Sequence, residues 1–181
     1  MKKFLLISIC MLSLAHLYAQ GYKTTKGKVT FFSSAPVEDI KAENKVVTGL
    51  FDAQTGSLAF LVPINGFRFP KSLMQEHFNE KFMESHKFPT ATFDGELLGF
   101  NISKAGTQVV QAKGNLTIHG VTVNANISGN IEFREDEVYM KAIFPIKLVD
   151  HAIQIPKVLF YNIAEEMEVT VNFVLKKLEE K

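Results

Sequence analysis

From Val121 to Phe133 the chain alternates without a break. Val121, Val123, Ala125, Ile127, Gly129, Ile131 and Phe133 are apolar or small, and Thr122, Asn124, Asn126, Ser128, Asn130 and Glu132 between them are polar. Successive side chains of a strand point to opposite faces, so this period gives a strand with one wet face and one buried face. At the rise of an extended chain it spans roughly 43 Å, about twice an ordinary strand. A strand of that length twists and curls, as in a small closed barrel. The apolar interior of such a barrel is either a packed core or a pocket.

The same period recurs along the chain. Val29 and Phe31 alternate with Lys28 and Thr30; Leu58, Phe60, Val62 and Ile64 share one face. Ala91, Phe93, Gly95 and Leu97 oppose Thr92, Asp94 and Glu96, and Val110 to Ile118 repeats the pattern at even positions. Val138 to Leu148 and Met167 to Leu175 supply two more such faces, and a strand of ambiguous facing is expected around Val46 to Phe51. The total is seven or eight strands. Asp52 to Gly56, Ser103 to Gly106, His119-Gly120 and Arg134 to Glu137 read as hairpin connections. Consecutive antiparallel strands joined this way favour a meander that closes on itself and so removes its edges.

Two segments break the period. Leu73, Met74, Phe78 and Phe82 have helical spacing within Pro70 to Met83, with Pro70 suited to the first helical position and Phe88-Pro89 as a stop. A single helix over one end of the barrel is expected. His151 to Ala164 is irregular but holds Ile153, Ile155, Pro156, Val158, Leu159 and Phe160, too apolar to float free, so it is expected over a barrel mouth or against the helix.

Lys2 and Lys3 precede an apolar run from Phe4 to Ala15, too short to span a bilayer, and Ala19 suits a cleavage site. The expectation is a cleaved signal peptide at 1–19, a single β-barrel domain at 20–181 and a periplasmic or secreted protein. Cys10, the only cysteine, lies inside the leader, and Ile7-Ser8-Ile9 before it is no lipid-attachment box. The mature chain therefore carries no disulfide, thiol nucleophile or thiolate metal site. Removing Lys2 and Lys3 from 20 basic residues leaves 18 against 19 acidic ones, a net charge near −1. That balance gives no reason to expect nucleic acid as a partner, and no later run suits a transmembrane span.

The chemistry of the polar residues is equally spare. His77, His86, His119 and His151 have no zinc spacing. His119 reads as a solvated turn residue, and His77 as a partly exposed helix residue near the apolar stripe. Asp150-His151 is an adjacent acid–base pair, but there is no Gly-x-Ser-x-Gly elbow to supply a nucleophile. No glycine-rich loop opens a helix, so nucleotide binding has no support. No enzyme activity, metal or cofactor is expected.

Two blocks carry a family likeness: Phe88-Pro-Thr-Ala-Thr-Phe93 and Gly114-Asn-Leu-Thr-Ile-His-Gly-Val-Thr122. They resemble the aromatic-Pro-x-Ala-x-Phe strand opening and the Gly-x-Leu-Thr-x-x-Gly-Val-Thr hairpin of the YceI-like family of bacterial envelope proteins. The likeness covers essentially the whole mature chain. The chain departs from many members around Phe67 to Phe78 and ends soon after its last strand, as a divergent short branch does. The resemblance implies an all-β fold, an extended eight-stranded antiparallel barrel like the lipocalins, with one helix covering an end. It also implies a long apolar or amphiphilic ligand, such as a polyisoprenoid or isoprenoid quinone, inside the barrel.

On that reading the ligand chain runs along Val123, Ile127 and Ile131, against Phe60, Val62, Phe93, Phe144, Val169 and Phe173. Met74, Phe78, Phe82, Ile153, Ile155 and Phe160 form the lid. The residues alone leave two outcomes open. Large side chains (Phe60, Phe93, Phe133, Phe144, Phe173) interdigitate with small ones (Ala112, Gly114, Ala125, Gly129, Ala142) as a solid core, or the small ones open a channel walled by aromatics. With a solid core the protein would be an envelope interaction or stress protein that uses its outer faces. A homodimer stays open on either reading.

Overall fold

The computed structural model describes residues 21–34, 39–155 and 164–179; the expected leader at 1–19 and the lid residue Phe160 lie outside the described residues. Among the described residues nine strands are formed: β1 Gly21–Ser33, β2 Ile40–Asn44, β3 Thr48–Asp52, β4 Ser57–Pro63, β5 Thr90–Leu98, β6 Gln108–Ile118, β7 Val121–Arg134, β8 Glu137–Lys147 and β9 Glu166–Lys177. Their order is β2-β1-β3-β4-β5-β6-β7-β8-β9, and β1 also pairs with β9. Strands β1 and β3 to β9 are thus a closed antiparallel ring of eight, as expected. β2 lies on the same edge of β1 as β3 and in the same register, Gly21↔Asp52 to Lys23↔Leu50 below and Val29↔Asn44 to Ser33↔Ile40 above, so β2 and β3 are two halves of one interrupted ring strand. β2 alternates for only five residues, Ile40, Ala42 and Asn44 inward against Lys41 and Glu43.

The hairpins set which end is which. Asp52–Ser57, Leu98–Gln108 and Arg134–Glu137 turn at the lower end, and Ile118–Val121 turns at the upper end. His119 (φ 52°) and Gly120 (φ 74°) are both left-handed. That is the geometry of a two-residue hairpin matched to strand twist. A Cβ on Gly120 would stand 2.6 Å from the Phe88 ring, so the glycine is also needed for close approach. Phe88 and the hairpin thereby meet, and Phe93 pairs with Leu116. The two sequence blocks that carry the family likeness are therefore one contact in space.

His119 is a correction. Its side chain is not solvated but 11 % exposed, with its ring against Phe88 at 4.4 Å between centroids. The turn had to fold over the aromatic residue before Pro89, which spacing along the chain does not reveal.

The helix is also shorter than the pattern suggested. α1 covers Ser72–His77 and passes into a π turn at Phe78–Phe82, closed by the Met83 N–H on the Phe78 carbonyl at 2.8 Å. Pro70 precedes the helix by two residues. Phe78 packs on Phe31, Phe67 and Phe69 with ring centroids 5.0 to 5.5 Å apart, which ties the helical segment to the upper barrel.

The interior is divided by level. At the lower end Ile131, Val138 and Leu175 are 0 % exposed and Phe51 1 %, joined by Tyr22, Phe100 and Phe133. Above them Phe60 stacks on Phe173 at 4.3 Å. That stack needs glycines: a Cβ on Gly49 would lie 2.2 Å from the Phe60 ring. A second buried cluster, Ile64, Met83, Ile118, Leu148 and Ile153, caps the upper end. Between the stack and the cap, inward residues such as Val62, Ile127, Ala142, Phe144 and Ile146 are only half-buried although they point inward. The barrel is solid below and hollow above.

Candidate functional site: an apolar cavity in the upper barrel

The hollow is a cavity of about 410 Å³ whose wall is almost wholly apolar. That is within the usual range for small-molecule sites. Of the residues expected to line it, Phe60, Val62, Phe93, Ile127, Phe144, Val169 and Phe173 do border the cavity. Val123 and Ile131 do not: Ile131 lies in the solid lower plug at 0 % exposure, and Val123 stands on the inward row of β7 without reaching the space. Met74, Phe78, Phe82 and Ile153 border the cavity from above. Ile155 packs behind them on the cap cluster.

The small residues make the space. Ala112 on β6 lies between Leu97 on β5 and Ile127 on β7, and Gly129 pairs with Ala142. Large side chains at these places would fill it. The wall also includes residues the sequence reading passed over, chiefly Phe31, Phe67, Phe69, Ile146 and Met167. Phe67 and Phe69 do show a two-residue period in Phe67-Arg-Phe, but they follow a 3₁₀ turn at Ile64–Gly66 and belong to no long strand. Arg68 between them points away and bridges to Glu43, whose N–H donates to its carbonyl at 3.1 Å, with the reverse bond at 2.8 Å.

Polar groups at the cavity are few: His77, Thr92, Asn130 and Lys141 border it. His77 is half-buried on the helix. Asp150 and His151 do not face the cavity together. Asp150 is exposed, whereas His151 is 2 % exposed and its Nδ1–H donates to the Val121 carbonyl at 3.2 Å. His119 Nδ1–H donates in turn to the His151 carbonyl at 3.2 Å. Glu84 Oε2 lies 3.4 Å from His119 Nε2. The Glu84 carboxyl is held below the ordinary carboxylate range, first by its hydrogen bond to Lys87 and then by His119. These polar residues tie the cap to the β6–β7 hairpin; they are not arranged around a reacting atom. Among the described residues no group of three or more His, Cys, Asp or Glu could hold a metal ion. None of the described helices is long and apolar enough to cross a membrane.

A closed eight-stranded antiparallel barrel with a half-filled apolar interior defines the class of small lipocalin-like barrels. The chain belongs to the YceI-like domain family, whose model matches residues 15–175. Among solved structures it is similar to a polyisoprenoid-binding domain from Saccharophagus degradans, at 12% identity and a TM-score of 0.75, covering 88% of this chain and 99% of that one. It is similar to BcnA of Burkholderia cenocepacia at 19% identity and a TM-score of 0.69, covering 82% and 95%. It is also similar to the YceI protein of Campylobacter jejuni at 16% identity and a TM-score of 0.61, covering 81% and 90%. At these identities the likeness is one of fold. A comparison with curated proteins finds no match.

Proposed function

We propose that this protein is an exported, non-catalytic binding protein that holds a long apolar or amphiphilic molecule, an isoprenoid or other lipid-like chain, in the upper cavity. The observation that carries the reading is the half-burial of inward-facing apolar side chains above the Phe60–Phe173 stack. A folded protein gains from filling such space with its own atoms, and apolar surface left facing a cavity is stabilised when an apolar ligand covers it. The similarity to a polyisoprenoid-binding domain supports the chemical class. Phe60, Val62, Phe93, Ile127, Phe144, Val169 and Phe173 would contact the chain, and Met74, Phe78, Phe82 and Ile153 would cover it. The leader at 1–19 would deliver the protein to the periplasm or beyond, where it would transport, store or shield its ligand.

Native mass spectrometry of protein purified from its own host tests the reading, with an apolar molecule of defined mass expected on the folded protein. Ala112→Phe gives the complementary test. The ring fills the cavity, so binding of the fluorescent apolar probe N-phenyl-1-naphthylamine falls by at least about tenfold while thermal stability is kept or raised. Absence of any copurifying molecule, together with equal probe binding by Ala112→Phe and the native chain, would refute the reading and favour a scaffold that acts through its outer faces.

A further inference from the structure

The barrel wall has one long interruption among the described residues. β6 and β7 pair along their full length, up to Ile118↔Val121. β8 and β9 do the same, up to Lys147↔Glu166. β7 and β8, by contrast, pair only from Arg134↔Glu137 to Gly129↔Ala142. Above that pair the two strands part. They are joined again only at the cap, where His151 meets the Val121 carbonyl. Eight residues of β7 therefore border a slot roughly 26 Å tall at the strand rise.

The residues at the slot suit an open edge. Gly129 lets β8 approach closely at the last pair, since a Cβ there would stand 2.8 Å from the Lys141 carbonyl oxygen. Two steps above, the continued register would oppose Ile127 to Phe144, both large. Pro145 has no N–H to give a ladder, and within sheets proline is confined to edges and irregular places. Ile143 on the outer face of β8 is 52 % exposed. The cavity reaches the foot of the slot, because Ile127, Gly129, Ala142 and Phe144 all border it. A second break in the ring, above β3 where β2 and β4 form no ladder, is stitched shut by Asn44 on the Pro63 carbonyl at 2.7 Å and by the paired Glu43–Arg68 backbone bonds. Below, entry would require dismantling side chains that are 0 to 1 % exposed.

We propose that the β7–β8 slot is the portal of the cavity: an apolar chain enters sideways between Ile127 and Phe144, and does not thread end-first through the barrel. This rests on the ligand-binding reading above. Sideways entry wets and dries the chain along its length at once and leaves both packed ends intact. It also admits chains whose head group is too bulky to pass down the axis, since the head stays outside the wall.

The test separates rate from affinity. In a full chain carrying Cys10→Ser, the pair Ser128→Cys and Ile143→Cys places thiols at the first unpaired step above Gly129↔Ala142, on the outer face and off the cavity wall. Oxidation, or dibromobimane where the thiols do not join directly, zips the foot of the slot. Stopped-flow uptake and release of N-phenyl-1-naphthylamine should then slow by at least about tenfold with the equilibrium constant kept within about twofold, since gating alters both rates together. Cleaving the disulfide with reductant should restore the rates. The pair Glu132→Cys and Tyr139→Cys, across the ladder that is already closed, should change neither rate. Unchanged rates in the bridged slot variant overturn the portal and point to entry beneath helix α1. Failure of the unmodified protein to bind the probe at all would instead be a failure of the ligand-binding reading. Hydrogen exchange gives a readout free of substitutions: about half the amides of 122–128 lack a β6 partner and should exchange fast, and protection of that segment equal to 108–118 would also overturn the portal.

Discussion

At the scale of single residues, the same kind of side chain has two different jobs at two heights. Leu175 is 0 % exposed in the lower plug, so Leu175→Ala leaves a cavity among fixed neighbours and should cost about 2–5 kcal/mol. Phe144 removes more atoms when cut to alanine, but its ring already faces open space and is half-buried. Phe144→Ala in the ligand-free protein should therefore cost less than Leu175→Ala. Urea denaturation of both variants checks the order; the reverse order would mean that the upper barrel is packed as tightly as the lower. The alternation along β8 assigns Val138 and Phe144 to one face and nothing more. Only their neighbours across the ring separate plug from wall.

At the scale of elements, long strands announced themselves and short joints did not. The period-two runs from β4 to β9 stand close to where the sequence placed them, because one wet face and one apolar face leave a strand a single facing. β2 escaped because its alternation runs for only five residues, Ile40 to Asn44, and its last inward place is polar. Asn44, at that place, is 0 % exposed, donates from Nδ2 to the Pro63 carbonyl at 2.7 Å and accepts the Val46 N–H at 2.7 Å. Asn44→Ala strands a buried carbonyl and an N–H, so it should cost about 1–3 kcal/mol. Amide exchange at Val46 should rise with it. The same stitch holds β2 against β4 across the second break in the ring.

At the scale of the whole molecule, the ring closes through β1 and β9, and the lower end is sealed where Tyr22 meets Phe51 at 6.2 Å. Burial first, and the charge of Asp136 second, raise the Tyr22 phenol above its ordinary pKa. A raised pKa means the folded state prefers the neutral phenol. The stability it brings is complete below the unfolded value, near 10, and is lost as pH rises through the folded value. Heating scans across that alkaline range should thus show a falling melting temperature, with a smaller fall in Tyr22→Phe. Tyr139, whose hydroxyl donates to Glu137 at 2.6 Å, is also raised, chiefly by that bond, and Tyr139→Phe serves as the surface control. Equal alkaline sensitivity in the native chain and Tyr22→Phe would remove Tyr22 from the account.

The amino-acid sequence by itself determined the long strands, their inward faces, the turn at His119-Gly120 and the family, because alternation and turn chemistry are local properties of a chain. Seven of the nine residues it offered for the ligand wall border the cavity, since wall and core draw on the same inward row. What it left open was whether Phe60, Phe93, Phe133, Phe144 and Phe173 fill the barrel. Tertiary structure decided this by height: Phe133 joins the lower plug, Phe60 and Phe173 stack above it as a floor, and Phe144 is left facing empty space. Occupancy depends on which rings meet across the axis and on how far β8 follows β7 before parting from it. Both are set by register and closure between strands distant in sequence, and no window of residues records them.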